Sequence, residues 1–133
     1  MALLLASICL HFQGRIARSE SQIQITKNIT PKEAYTLLLK NKDNQSFVIL
    51  DVRTPLEFAN GHIENAVNLD YYSETFKNLL KRLDHNKTYL IYCRTARRSG
   101  RVLDLMKELG FREVYNIAGG ITDWKEAGLP TTE

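Results

Sequence analysis

Two short runs, FVILDV from Phe47 to Val52 and TYLIYC from Thr88 to Cys93, constrain the fold of this chain most. A strand with one face in water alternates apolar and polar residues. These runs are almost wholly apolar, so each reads as a strand covered on both faces, as in a parallel sheet. IQIT (Ile23 to Thr26), Ala66 to Leu69 and EVYNI (Glu113 to Ile117) read as three further strands, giving five. Helical patterns fall between them. Thr30-Pro31-Lys32-Glu33 combines an N-cap, a proline in the first turn and a capping-box glutamate, so a helix is predicted from Pro31 to about Lys40, with Ala34, Leu37 and Leu38 on one face. A short helix is expected from Pro55 to Ala59. Phe76, Leu79, Leu80 and Leu83 recur at i, i+3, i+4 and i+7, as on an amphipathic helix. Val102, Leu103, Leu105, Met106 and Leu109 mark another that Gly110 can end. After a turn at Gly119-Gly120, ITDWKEAG makes a last short helix. Alternation of this kind specifies an α/β fold with a parallel sheet.

At 133 residues, with 44% hydrophobic and 25% charged residues, the chain fits one domain with an ordinary core. Its net charge of +3 is too mild to imply nucleic acid. Cys9 and Cys93 lie far apart and outside any C-x-x-C pattern, so neither a disulfide framework nor a zinc site is indicated. Ala2 to Leu10 is an unbroken run of apolar or small residues, too short to span a bilayer. It suits the apolar region of a secretory signal, but no Lys or Arg precedes it, Arg15 and Arg18 follow, and no small-x-small cleavage site appears. Exported and cytoplasmic locations both stay open, and membrane contact is expected only if this segment is retained. Ile8 stands where a lipid-attachment site before Cys9 would want a small residue. The sequons at Asn28, Asn44 and Asn86 fit chance in an Asn-rich chain. Residues 1–21 are therefore assigned outside the fold, and residues 22–133 to the domain.

Cys93 ends a buried strand and precedes a helix, the position where ligands of parallel sheets collect. Backbone N–H groups of residues 94–99, with the positive end of the helix, are expected to form an anion cradle that favours thiolate. Arg94, Arg97, Arg98 and Arg101 surround it, with no acid from Cys93 through Leu103. A buried structural cysteine is the plain alternative. Cations at a helix amino terminus oppose the macrodipole by about 0.3–1 kcal/mol each, so their accumulation here argues for an anion. Spacing then separates two chemistries. Protein-tyrosine-type phosphatases place five residues between cysteine and arginine to enclose a phosphoryl group, but here the pattern is Cys93-x-x-x-x-Arg98, followed by Ser99. The smaller loop suits a single sulfur carried on the thiolate.

Three separated segments resemble the single-domain rhodanese (thiosulfate sulfurtransferase) family: DVRTPLEFANGHIENAVNL, the loop CRTARRS, and GFREVYNIAGGITDWKEAGLP. The resemblance runs from about Ile23 to Pro130. It implies a rhodanese-like five-stranded parallel sheet flanked by helices on both faces. It also implies transfer of sulfane sulfur, from thiosulfate or another small donor to cyanide, a thiol or a protein acceptor, through a persulfide on Cys93. No cofactor, metal or nucleic acid enters that chemistry. Arg98 matches the family's loop arginine. Arg94 and Arg97 stand at variable positions where cations can bind the dianionic donor, and Thr95, Ala96 and Ser99 are expected to supply mainly backbone amides. Ala96 departs from the glycine of many members, which matters if the position needs positive φ. Arg53 is expected to pair with Glu57, and His62 to serve a turn, since an ionised thiol needs no general base. Trp124, Phe111 and Phe58 are expected to pack the core. An idle module for partner binding or redox sensing, and less readily a small-anion phosphatase, are the alternative functions.

Overall fold

The structure, a computed structural model, describes residues 23–133; the apolar run with Cys9 and the assignment of residues 1–21 lie outside the described residues. Strands β1 (Ile25–Ile29), β2 (Phe47–Asp51), β3 (Val67–Asn68), β4 (Thr88–Tyr92) and β5 (Glu113–Ile117) form one parallel sheet in the order β1-β5-β4-β2-β3. Helices α1 (Pro31–Lys40), α2 (Pro55–Ala59), α3 (Phe76–Arg82), α4 (Arg97–Glu108) and α5 (Gly120–Glu126) alternate with them.

The apolar runs are uninterrupted because both of their faces are buried. Along β4 and just beyond it, Tyr89, Ile91 and Cys93 join a cluster with Phe76 and Leu80 of α3 and Val102, Leu103 and Met106 of α4. Leu90 and Tyr92 join the opposite cluster, with Ala34 of α1 and Ile121 and Trp124 of α5. On β2, Leu50 and Ile49 divide in the same way. Each such aliphatic side chain contributes about 1.5–3 kcal/mol by leaving water. Helices α1 and α2 begin alike: Thr30 with Glu33 and Thr54 with Glu57 each close a capping box, with proline in the first turn.

Several boundaries differ from the sequence expectation. β1 starts at Ile25 rather than Ile23 and runs to Ile29, because its register is set by β5, beginning at Ile25↔Glu113. β3 shrinks to Val67–Asn68, since it pairs only with Leu50 and Asp51 at the end of β2. Helix α3 buries Phe76 and Leu80, whereas Leu79 is exposed. Phe58 is half-buried and lies outside both clusters, while Trp124 and Phe111 are fully buried. Gly120, read as part of a turn, is the first residue of α5.

This strand order places the site. From β2 the chain crosses to β3 on one side, and from β4 to β5 on the other. The carboxyl ends of β2 and β4 therefore flank the crevice where the winding reverses, the usual ligand position in such sheets. Val52 N–H donates to Tyr92 O at 3.0 Å and ties these two ends together.

Candidate active site

Cys93 leaves β4 with its side chain on the α3–α4 face and is only 1% exposed. The chain turns at Ala96, whose φ of 73° and ψ of 0° are left-handed, and α4 begins at Arg97. The position does require positive φ, so alanine carries a strain on the order of 1 kcal/mol that glycine would not. In return the turn carries Ser99, fully buried, over the thiol. Ser99 N–H and Ser99 Oγ–H both donate to Cys93 Sγ at 3.4 Å. Burial pushes the Cys93 thiol up, but the Ser99 hydroxyl and amide, with the N–H groups of Thr95 and Arg98, outweigh it and hold the thiol below its ordinary value.

One donor goes beyond the expected backbone amides: Ser99 acts through its hydroxyl as well as its amide, and Arg98 also interacts with Cys93 through its charge. Arg94, Arg97 and Arg101 are exposed. The Arg98 side chain makes its hydrogen bonds elsewhere: its Nη1 and Nη2 donate to Glu57 Oε1 and Oε2 at 2.8 and 3.0 Å, and its guanidinium lies 5.6 Å from the Tyr72 ring centroid. The Arg98 bond lowers the Glu57 carboxyl to about 2, helped by the Thr54 cap and opposed by burial. An acid absent from the loop's own sequence thus arrives from α2.

Arg53 does not pair with Glu57. Its Nε and Nη2 bind the Asp51 carboxylate at 2.7–3.0 Å, and Nη2 also donates to Gly61 O at 2.7 Å. Two residues apart at a strand end, Asp51 and Arg53 project to one side, while Glu57 is held by its cap and by Arg98. Both members of the inner pair are buried, with side-chain exposures of 0% for Asp51 and 6% for Arg53.

Helix α5 fixes the far side of the loop. Ile121 N–H donates to Cys93 O at 2.9 Å and Thr122 N–H to Arg94 O at 3.1 Å. Gly120, with φ 62°, lies so close that a Cβ there would collide with the Cys93 and Arg94 carbonyls. His62 is engaged with its own turn: its ring stacks on Phe58, and Nδ1 donates to Phe58 O at 2.8 Å, the carbonyl being able only to accept. Its backbone exchanges hydrogen bonds with Thr132. Among the described residues no group of three or more His, Cys, Asp and Glu side chains converges as a metal site.

Glu57 and Tyr72 are the site neighbours that sequence reasoning missed. For Glu57 the signal was present, since TPLE repeats the capping pattern of TPKE and therefore fixes where its carboxylate stands. Tyr72 lies in an irregular turn with no such pattern.

The geometry invites comparison with known proteins. The family profile for the rhodanese-like domain matches residues 30–127. An uncharacterized protein of Synechocystis is 33% identical over 113 residues, covering 85% of this chain and 60% of its own. A sulfurtransferase of Allochromatium vinosum is 31% identical over 88 residues, covering 66% of this chain and 80% of its own. The solution structure of a polysulfide-sulfur transferase homodimer from Wolinella succinogenes is similar with a TM-score of 0.64 and 28% identity, covering 92% of this chain and 88% of its own.

Proposed function

The chain belongs to the rhodanese-like domain family, and from that premise we propose that it moves sulfane sulfur from thiosulfate, or another small persulfide-type donor, to a thiophilic acceptor through Cys93. The observation that carries this reading is the buried Cys93 Sγ, which accepts hydrogen bonds from the Ser99 amide and hydroxyl and whose thiol they help hold below its ordinary value, in a Cys93-x-x-x-x-Arg98 loop one residue shorter than that of the phosphatases. The sulfurtransferases among its relatives agree with it.

In the first step the Cys93 thiolate attacks the outer sulfur of thiosulfate. A sulfur–sulfur bond forms to Cys93, the bond to the sulfonate sulfur breaks, and its electron pair leaves with sulfite. The charge that the thiolate held passes to the outer sulfur of the persulfide, which extends from Sγ into the loop from Arg94 to Ser99. In the second step cyanide, a thiol or a protein thiolate takes the outer sulfur and returns the thiolate. Arg94 and Arg97, exposed at the mouth, attract the dianionic donor and the departing sulfite, and salt screens that attraction. Arg98 is a positioning residue: clamped by Glu57, it fixes the loop that aims the donors. Ala96 supplies the turn.

Incubation with thiosulfate should add the mass of one sulfur to the intact protein. Cyanide should remove it, and Cys93→Ser should not acquire it. Absence of the adduct with thiosulfate and with polysulfide would overturn the assignment.

A further inference from the structure

On the side of the sheet covered by α1 and α5 lies a cleft of 290 Å³ whose polar lining is Arg53, Glu57, Asn60, Arg94, Thr122 and Lys125. Cys93 is not part of its lining. Cys93 belongs to the apolar cluster of α3 and α4, whereas Ile121, which also lines the cleft, belongs to the cluster on the opposite face. Arg94, the residue after Cys93, lines the cleft.

Charges in this cleft do not balance. Arg53 is matched by Asp51, and Glu57 by Arg98. Arg94 and Lys125 form no salt bridge among the described residues. Both are exposed cations lining one small volume, where a dianion can be attracted to the two together.

Hydrogen-bonding capacity is unspent in the same place. Arg53 commits Nε and Nη2 to Asp51 and Gly61, but its Nη1 has no hydrogen-bond partner among the described residues. Nor have the Asn60 amide and the Thr122 hydroxyl, and none of these atoms is sealed from solvent. Arg53 is especially apt. Its guanidinium is already dehydrated and locked by Asp51, so presenting the remaining edge to an anion requires little further desolvation or ordering.

We propose that the cleft is a binding subsite for a tetrahedral dianion of the sulfate, sulfite or hydrogen phosphate class, distinct from the loop around Cys93 Sγ and joined to it through Arg94. The ion sits between Arg94 and Lys125, with Arg53 Nη1, Asn60 and Thr122 as hydrogen-bond donors. Because Thr122 N–H and Ile121 N–H hold the carbonyls of Arg94 and Cys93, occupancy is felt by the backbone that begins the loop. An ion here also draws Arg94 away from the mouth, so sulfate raises the KM for thiosulfate. That last consequence rests on the sulfur-transfer reading, whereas binding itself does not.

The test uses the full chain carrying Cys93→Ser, followed by amide NMR during titration with sodium sulfate, and separately with inorganic phosphate, against sodium chloride at matched ionic strength. Saturable shifts of the Arg94, Ile121 and Thr122 amides are expected, with affinity falling about tenfold in Lys125→Ala and severalfold in Thr122→Val. Lys125 is exposed, so its replacement leaves the core intact. The proposal is overturned if chloride gives the same shifts, if no saturation occurs, or if the shifts are confined to Thr95–Ser99 and unaffected by Lys125→Ala. Sulfate binding with no persulfide formed by the wild type would remove the sulfur-transfer reading and leave this one standing.

Discussion

Two bidentate ion pairs stand at the carboxyl end of this sheet, and they are built for different purposes. Asp51–Arg53 joins residues two apart, is buried, and also holds Gly61 O. Glu57–Arg98 joins residues far apart in the chain, α2 to the loop, with side-chain exposures of 29% and 15%. In the first pair neither charge can be rehydrated, so losing one partner leaves the other stranded. In the second, water can replace much of what is lost, and what suffers is the position of the loop. Burial therefore separates a stability device from a geometry device made of the same two groups.

The largest expected effect is Arg53→Ala, which strands Asp51 and should lower unfolding free energy by about 3–5 kcal/mol in urea titrations. A loss as small as that of a surface pair would erase the distinction. Next is Glu57→Gln. It should cost less than about 1 kcal/mol of stability yet reduce kcat/KM about tenfold, through misplacement of the loop donors. Equal losses in both variants, in stability and in rate, would show that the pairs do one job.

Ser99→Ala sharpens the contrast by testing the neutral donors that neither pair includes. Loss of the hydroxyl bond removes about 0.5–1.5 kcal/mol of thiolate stabilisation. Since the thiol lies below its ordinary value in the wild type, activity rises as pH climbs through that lowered value. In the variant the rising limb should move to higher pH, with rates converging once both thiols are ionised. An unmoved limb in stopped-flow profiles would transfer the credit to charge. The smallest effect is the acid response of Glu57. Its carboxyl is lowered from 4.5 to about 2, so its contribution is fully present above about 4.5 and is lost as pH falls toward 2. Glu57→Gln should flatten that part of the stability profile by less than about 1 kcal/mol.

The fold was largely legible in the sequence because parallel strands buried on both faces leave a direct trace. FVILDV and TYLIYC mark β2 and β4, and TPKE marks the start of α1. Edges were less legible. β1 and β3 take their limits from neighbouring strands rather than from their own residues. The loop could be located, but its electrostatics could not be assigned by counting arginines. Which cation remains available depends on Glu57, which is remote in sequence, and an uncharged serine hydroxyl joins the backbone amides in supporting the sulfur. Periodicity reports what is buried; it carries no record of which charges meet across crossovers.

The grip of α5 on the loop also has a meaning in time. Gly120, Ile121 and Thr122 are made after Cys93 and α4, and they pack on or bind the carbonyls of Cys93 and Arg94. β1 precedes β5 in the chain and waits for it as its only sheet partner among the described residues. A nascent chain can therefore bury Cys93 beneath α4 before it can fix the loop around it. The geometry of the loop around the sulfur is therefore set only once α5 has been made.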